Sequence, residues 1–306
     1  MSLAASDYQK YIHWGTSTWT FEGWRNQVYF KEYKNKKHFN HASLAEYCAH
    51  PKFGVIGMDL WHYRVPTEET LAEYAQYIPA GFPICIKVIN EITTFRWPQM
   101  PSYAARGGTV NPHFLNADKF LNEFSPPFEK VFIDFPLIFI FELMTIPLND
   151  LPGGAKEFSV LLDAFLEKLP AKFRYAMEIR NKHFIDPVYF EVLKKHRVAH
   201  CYNQWANQYS IGRQLELGEF STDFVVVRAL QPPGWNHNQS QEFFKPFDRV
   251  KLILPEVRQD ILTLIRQMLA HQIHAYILIN NRLEGNAPTT IEELDEMVRQ
   301  QLLNNR

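Results

Sequence analysis

Glu178 and Arg180 stand two residues apart at the end of the apolar run Phe173-Arg174-Tyr175-Ala176-Met177-Glu178-Ile179-Arg180. On a strand they share one face, with Met177 and Ile179 on the other. A charged pair at the end of a buried strand is costly unless each charge is paired or faces a wet pocket. The same pattern recurs along the chain, where Asp59, Lys87, Asp134, Arg228 and Asn280 close or interrupt other apolar runs. Lys87, Arg180 and Arg228 suit an anionic or polyhydroxyl ligand, because guanidinium groups grip carboxylate or phosphate in a bidentate way. Asp134 and Glu178 could divide proton donor and acceptor roles, as paired acids do in glycoside hydrolysis. His62 and Tyr63 come shortly after Asp59 and could assist, and Asn281 adjoins Asn280. A second reading stays open: acids and bases in such a ring can neutralise one another as a structural network without chemistry.

Composition narrows the classes. Hydrophobic residues make up 46% of 306, enough for a sizeable core and against global disorder. The formal net charge of -1 disfavours a dedicated nucleic-acid binder, although Lys31, Lys34, Lys36 and Lys37 form a local basic stretch. Three cysteines, Cys48, Cys85 and Cys201, make no C-x-x-C, so neither a disulfide framework nor a cysteine zinc site is expected. The start, MSLAASDYQK, lacks the apolar run of a signal peptide. The most apolar stretch, Val131 to Leu143, carries Asp134, Pro136 and Glu142 and is too short to span a bilayer. A cytoplasmic protein without membrane contact is expected.

Strands must carry these side chains to one place. Eight candidates alternate with helices: residues 11–16, 52–60, 82–89, 131–135, 173–180, 198–202, 222–228 and 274–279. Helices are expected at 43–50, after a Thr67 cap, at 112–124, 158–169, 188–196, 255–271 and 290–303. Regular alternation over this length predicts a TIM-type (β/α)8 barrel, with an irregular sixth unit over 205–219 and long loops at the C-terminal mouth. A polar lead-in, 1–10, precedes a single barrel domain, 11–306. In such a barrel the strand ends form one ring at the C-terminal face, where active sites are built. The loop after the first strand holds Trp19 and Trp24, which either stack on a ligand or pack as a lid. The 90–111 loop is long for a βα connection, which often marks a site.

No G-x-G-x-x-G or G-x-x-x-x-G-K-[ST] is present, so dinucleotide and P-loop readings lose support. Nor is there an H-E-x-x-H or a G-x-S-x-G. A metal site would need Asp59, Asp134, Glu178 and His200 to converge from different strands. No cofactor or metal is expected. His13 and His200 read as packing residues.

The ordered motifs resemble one family. They are Gly15-Thr16-Ser17-Thr18-Trp19, Trp24, Met58-Asp59-Leu60-Trp61-His62-Tyr63-Arg64-Val65-Pro66, Lys87 with Ile92-Thr93, Phe135-Pro136, Met177-Glu178-Ile179-Arg180, Val227-Arg228, and Asn280-Asn281 with Gly285-Asn286-Ala287. Together they resemble the YecE-like proteins, domain of unknown function 72. That resemblance implies a TIM-type barrel with these residues near its C-terminal mouth and no assigned activity. The expectation is a barrel binding a small anionic or polyhydroxyl molecule, with acid–base hydrolase or lyase chemistry open. Alternatives are a non-catalytic ligand-binding or regulatory barrel and a metal-dependent or nucleic-acid-processing enzyme.

Overall fold

The computed structural model describes residues 8–304. Most of the expected lead-in, residues 1–7, lies outside them; Tyr8–Lys10 form a single 3-10 turn. Eight parallel strands close a barrel in sequence order: β1 (Ile12–Thr16), β2 (Val55–Met58), β3 (Ile84–Lys87), β4 (Leu137–Leu143), β5 (Arg174–Ile179), β6 (Ala199–Gln204), β7 (Phe224–Ala229) and β8 (His274–Ile279). Closure comes from β1 pairing with β8 along its whole length, Ile12 opposite Ala275 through Thr16 opposite Ile279. This is the TIM-type (β/α)8 fold.

Strand alternation builds two cores. Small and branched side chains such as Cys85, Ile138, Ile140, Ala176, Cys201, Val226 and Leu278 pack together inside the barrel. Their neighbours, among them Phe139, Phe141, Met177 and Val227, join the larger core under the helices. The period of two carries the interior face onward to the mouth. Lys87, Glu142, Glu178 and Arg228 each come two residues after an interior residue of the same strand, so they cap the barrel core.

The helices begin where side chains can satisfy free amides. Asn35 accepts from the His38 amide and starts a helix at Lys36–Ala49, so the basic stretch 31–41 is half helical. Thr67 caps Glu68–Ala75, and Asp186 caps Pro187–His196 by accepting from the Tyr189 amide. The sixth unit contains only a short helix, Ile211–Glu216. Between β7 and β8 lies a helix, His237–Phe244, closed at its start by a reciprocal Asn236–Gln239 capping box.

One strand lies elsewhere than its apolar pattern predicts. Residues 131–135 are not β4; helical structure runs from Ala117 through a π turn at Phe120–Phe124 into Ser125–Val131. Pro136 precedes the strand instead of ending it, and β4 is Leu137–Leu143. Asp134 therefore sits exposed in the turn before β4, at the N-terminal end of the barrel, where its carbonyl accepts from the Gly81 amide.

Candidate functional site

Four strands and a 3-10 turn deliver a crossed ion network to the C-terminal mouth. In the β4–β5 register Glu142 lies beside Glu178, which sets two carboxylates side by side in the barrel interior. Two arginines bridge them. Arg228 Nη1 donates to Glu142 Oε2 at 2.6 Å and Glu178 Oε2 at 2.5 Å. Arg180 Nη2 ion-pairs with Glu178 Oε1 at 2.7 Å and Glu142 Oε2 at 3.0 Å. The Lys87 ammonium lies 3.0 Å from Glu142 Oε1. Arg228 Nη2 donates to Asp59 Oδ2 at 2.5 Å, and Asp59 opens the 3-10 turn Asp59–His62 directly after β2. Glu178 and Arg228 are essentially sealed, at 0% and 1% exposed.

Charge sets the protonation of this cluster. Burial pushes the Glu142 carboxyl up, but Arg180, Lys87 and Arg228 outweigh it and hold Glu142 well below the usual carboxylate range. Burial pulls Arg228 down, and Asp59, Glu178 and Glu142 more than reverse that. Burial, with Lys87 beside it, lowers His62 to about 4, so its ring is neutral at pH 7. Its Nδ1 is buried without a hydrogen-bond partner among the described residues.

Above the network lies a cavity of about 330 Å³. Asp59, His62, Lys87, Glu142, Arg180 and Arg228 form its floor and near wall, and Tyr103, Trp205, His237 and Arg282 close it from the loops. Tyr63 stands on the rim, 73% exposed. Arg180 lies over the Trp205 ring, 4.0 Å from its centroid, a cation–π contact that fixes both side chains. The 90–111 loop contributes Pro98, Met100 and Tyr103 to the wall, and Asn90 Nδ2 donates to the Tyr103 hydroxyl. Larger clefts exist elsewhere, of about 390 and 550 Å³, but neither gathers converging charges from several strands.

Arg282 differs from the other cations. It lies in the short helix Asn281–Glu284 after β8. Its guanidinium makes no ion pair or hydrogen bond with any described residue; its Nε is buried without a partner, as are Arg180 Nη1 and Arg228 Nε, but those two arginines are ion-paired through their other nitrogens. Burial lowers its pKa; Asp59 and Glu142 pull it up without reversing the effect, and the charge of Arg228 adds to the lowering.

Several expected site residues lie elsewhere. Trp19 is fully buried, with its indole N–H donating to the Asn40 carbonyl at 2.8 Å, and Trp24 donates to Asn281 Oδ1 at 3.2 Å. Asn281 Oδ1 also accepts from the Ala287 amide, while Asn280 caps its helix by accepting from the Arg282 amide. These four side chains hold the mouth loops and do not line the cavity. Asp134 is at the opposite end of the barrel, so it is no partner of Glu178. His200 faces outward from β6 between Tyr189 and Gln214, so the four residues that a metal site would need do not converge. Among the described residues no group of His, Cys, Asp and Glu side chains is placed to hold a metal ion.

Glu142, Trp205 and Arg282 belong to the cavity although sequence reasoning did not select them. Glu142 carried a legible signal, an acid near the end of the apolar run Val131 to Leu143. Arg282 comes directly after the Asn280-Asn281 pair, but nothing in its neighbours announces a missing partner.

A closed parallel barrel with crossed arginine–carboxylate pairs under a charged mouth defines a TIM-type protein of its own kind. The chain belongs to the family described as Protein of unknown function DUF72, whose model matches residues 13–306. It is similar to the structure of a DUF72 family protein from Thermotoga maritima MSB8 at 14% identity, covering 95% of this chain and 98% of that one, with a TM-score of 0.60. It is also similar to a DUF72 family protein from Enterococcus faecalis V583 at 15% identity, covering 96% and 95%, with a TM-score of 0.59. At these identities the likeness concerns the fold. No curated protein matches the chain.

Proposed function

We propose that the barrel mouth binds a small anionic molecule, with Arg282 as the group that takes its charge. The observation that carries this reading is the largely buried Arg282 guanidinium, which lines the cavity without a carboxylate partner among the described residues. An unpaired buried charge is costly, and a ligand anion would remove that cost. Arg180, Arg228 and Lys87 are already matched to Asp59, Glu142 and Glu178, so their role is to preorganise the floor. Hydroxyl groups on the ligand would meet Tyr103, Asp59 and Lys87 in the same cavity.

Acid–base chemistry on the bound molecule is a second reading, and His62 favours it. A general base must be unprotonated at working pH, and the neutral His62 ring in the cavity wall meets that condition. Glu142, held ionised by three cations, is a poor proton donor. Calorimetric titration with acetate tests the binding reading. Wild type should bind it, and Arg282→Gln should weaken binding at least about ten-fold, the effect of losing one charge-assisted hydrogen bond. Equal affinity in both proteins would remove Arg282 from the site.

A further inference from the structure

A second cavity, of about 380 Å³, opens beside the mouth and shares Thr145, Arg180 and Trp205 with it. The two cavities therefore adjoin as two halves of a groove that meet at the Arg180 and Trp205 side chains. Their electrostatics differ. The mouth carries Asp59 and Glu142, whereas among the described residues no Asp or Glu lines the second cavity. Its own cation is Lys182, which faces the Tyr209 ring at 5.7 Å and has no carboxylate within ion-pair distance among the described residues. The walls are held in place. Asn181 exchanges two hydrogen bonds with the Ile146 backbone, at 2.7 and 2.8 Å, and Gln208 Nε2 donates to the Ile179 carbonyl at 2.6 Å.

Each end of the groove thus has one cation in excess. At the mouth Lys87, Arg180, Arg228 and Arg282 face Asp59, Glu142 and Glu178. In the second cavity Lys182 has no ion-pair partner among the described residues, while Arg180, shared with the mouth, is already paired there. A single excess cation is matched by a singly charged acid group, such as a carboxylate, better than by a doubly charged phosphate. We infer that the ligand is an elongated diacid, one acid group held at Arg282 and the other at Lys182, with its middle lying across Trp205. The inference rests on the reading of the mouth as an anion site. Neutral polar groups along the path, Thr145 and Asn207 among them, suit a hydroxylated middle.

A chain-length series tests it without knowledge of the natural ligand. Acetate, succinate, adipate and suberate are titrated into the full chain, its Lys182→Gln variant and its Arg282→Gln variant. A second acid group tethered at the right distance raises affinity by effective concentration. In wild type the best diacid should bind at least about ten-fold more tightly than acetate, with a maximum at one chain length. Lys182→Gln should bring that diacid down to the level of acetate. Arg282→Gln should weaken every member. Flat affinity across the series, a length dependence that survives Lys182→Gln, or no diacid binding at all would overturn the inference. The mouth reading is judged separately, on acetate against Arg282→Gln.

Discussion

Arg228 is the residue on which the mouth depends. One guanidinium reaches Asp59, Glu142 and Glu178, and the two glutamates are neighbours in register. Without it, like charges would face each other in a sealed interior with only Arg180 and Lys87 to balance them. Removing one member of a buried ion network strands its partners and costs about 3–5 kcal/mol. Arg228→Met keeps the stem and removes the charge, so urea unfolding should show a loss of that order. A variant within about 1 kcal/mol of wild type would mean that the network is dispensable. The pairing of Glu178 and Arg180 was legible because alternation alone places both on one face. Their partners were not, since which acid meets which arginine depends on register across β4, β5 and β7. Arg282 shows the limit most clearly: a charge without a partner has no signature in a linear sequence.

At the scale of elements, the apolar run Val131 to Leu143 explains the one misplaced strand. Both faces of a barrel strand are buried, so alternation disappears and periodicity cannot separate a strand from a buried helix end. Pro136 fits either boundary, and Val131, Phe132 and Ile133 have strand-forming side chains although Val131 ends a helix that begins at Ser125 and the other two lie in the turn after it. By contrast β8 is read correctly because Gln272 and Asn280 bracket it. The short sixth unit is fastened by a single side chain. Gln214 donates to the Asn203 and Tyr209 carbonyls and accepts from the Asn203 amide and from His200 Nε2. Since Gln214 Oε1 can only accept, His200 carries its proton on Nε2, and Nδ1 accepts from the Tyr189 hydroxyl at 2.9 Å.

This clamp is acid-sensitive. Burial lowers His200 from its ordinary value of 6.5 to about 4, so between those pH values the unfolded chain binds a proton that the folded one does not. Stability therefore falls as pH falls through that window, by about 2 kcal/mol between pH 7 and 5 for this group. His200→Gln removes the titration. Urea unfolding at the two pH values should show the variant losing about 2 kcal/mol less than wild type. Identical losses in the two proteins would mean that His200 titrates in the fold as it does in the unfolded chain.

Across the whole molecule, the barrel separates polar ends from an apolar middle. At the N-terminal end Arg174 Nη1 donates to the Tyr276 hydroxyl at 2.9 Å and His13 meets His274 at 3.3 Å. Those groups partner one another, and the apolar interior layer divides them from the mouth. Among the described residues, charges from several strands converge on open space only at the C-terminal end, as the parallel barrel geometry dictates. The charge balance within that space leaves Arg282 over, and an anion at Arg282 would complete it. A crystal structure of the protein soaked in bromide tests this most directly, because the anomalous signal locates a monovalent anion without any assumption about the natural ligand. The strongest peak should lie in the mouth cavity, within hydrogen-bonding reach of the Arg282 guanidinium, and should vanish in Arg282→Gln. A mouth without bromide, or a peak there that survives the substitution, would contradict the assignment of Arg282 as the anion-binding group.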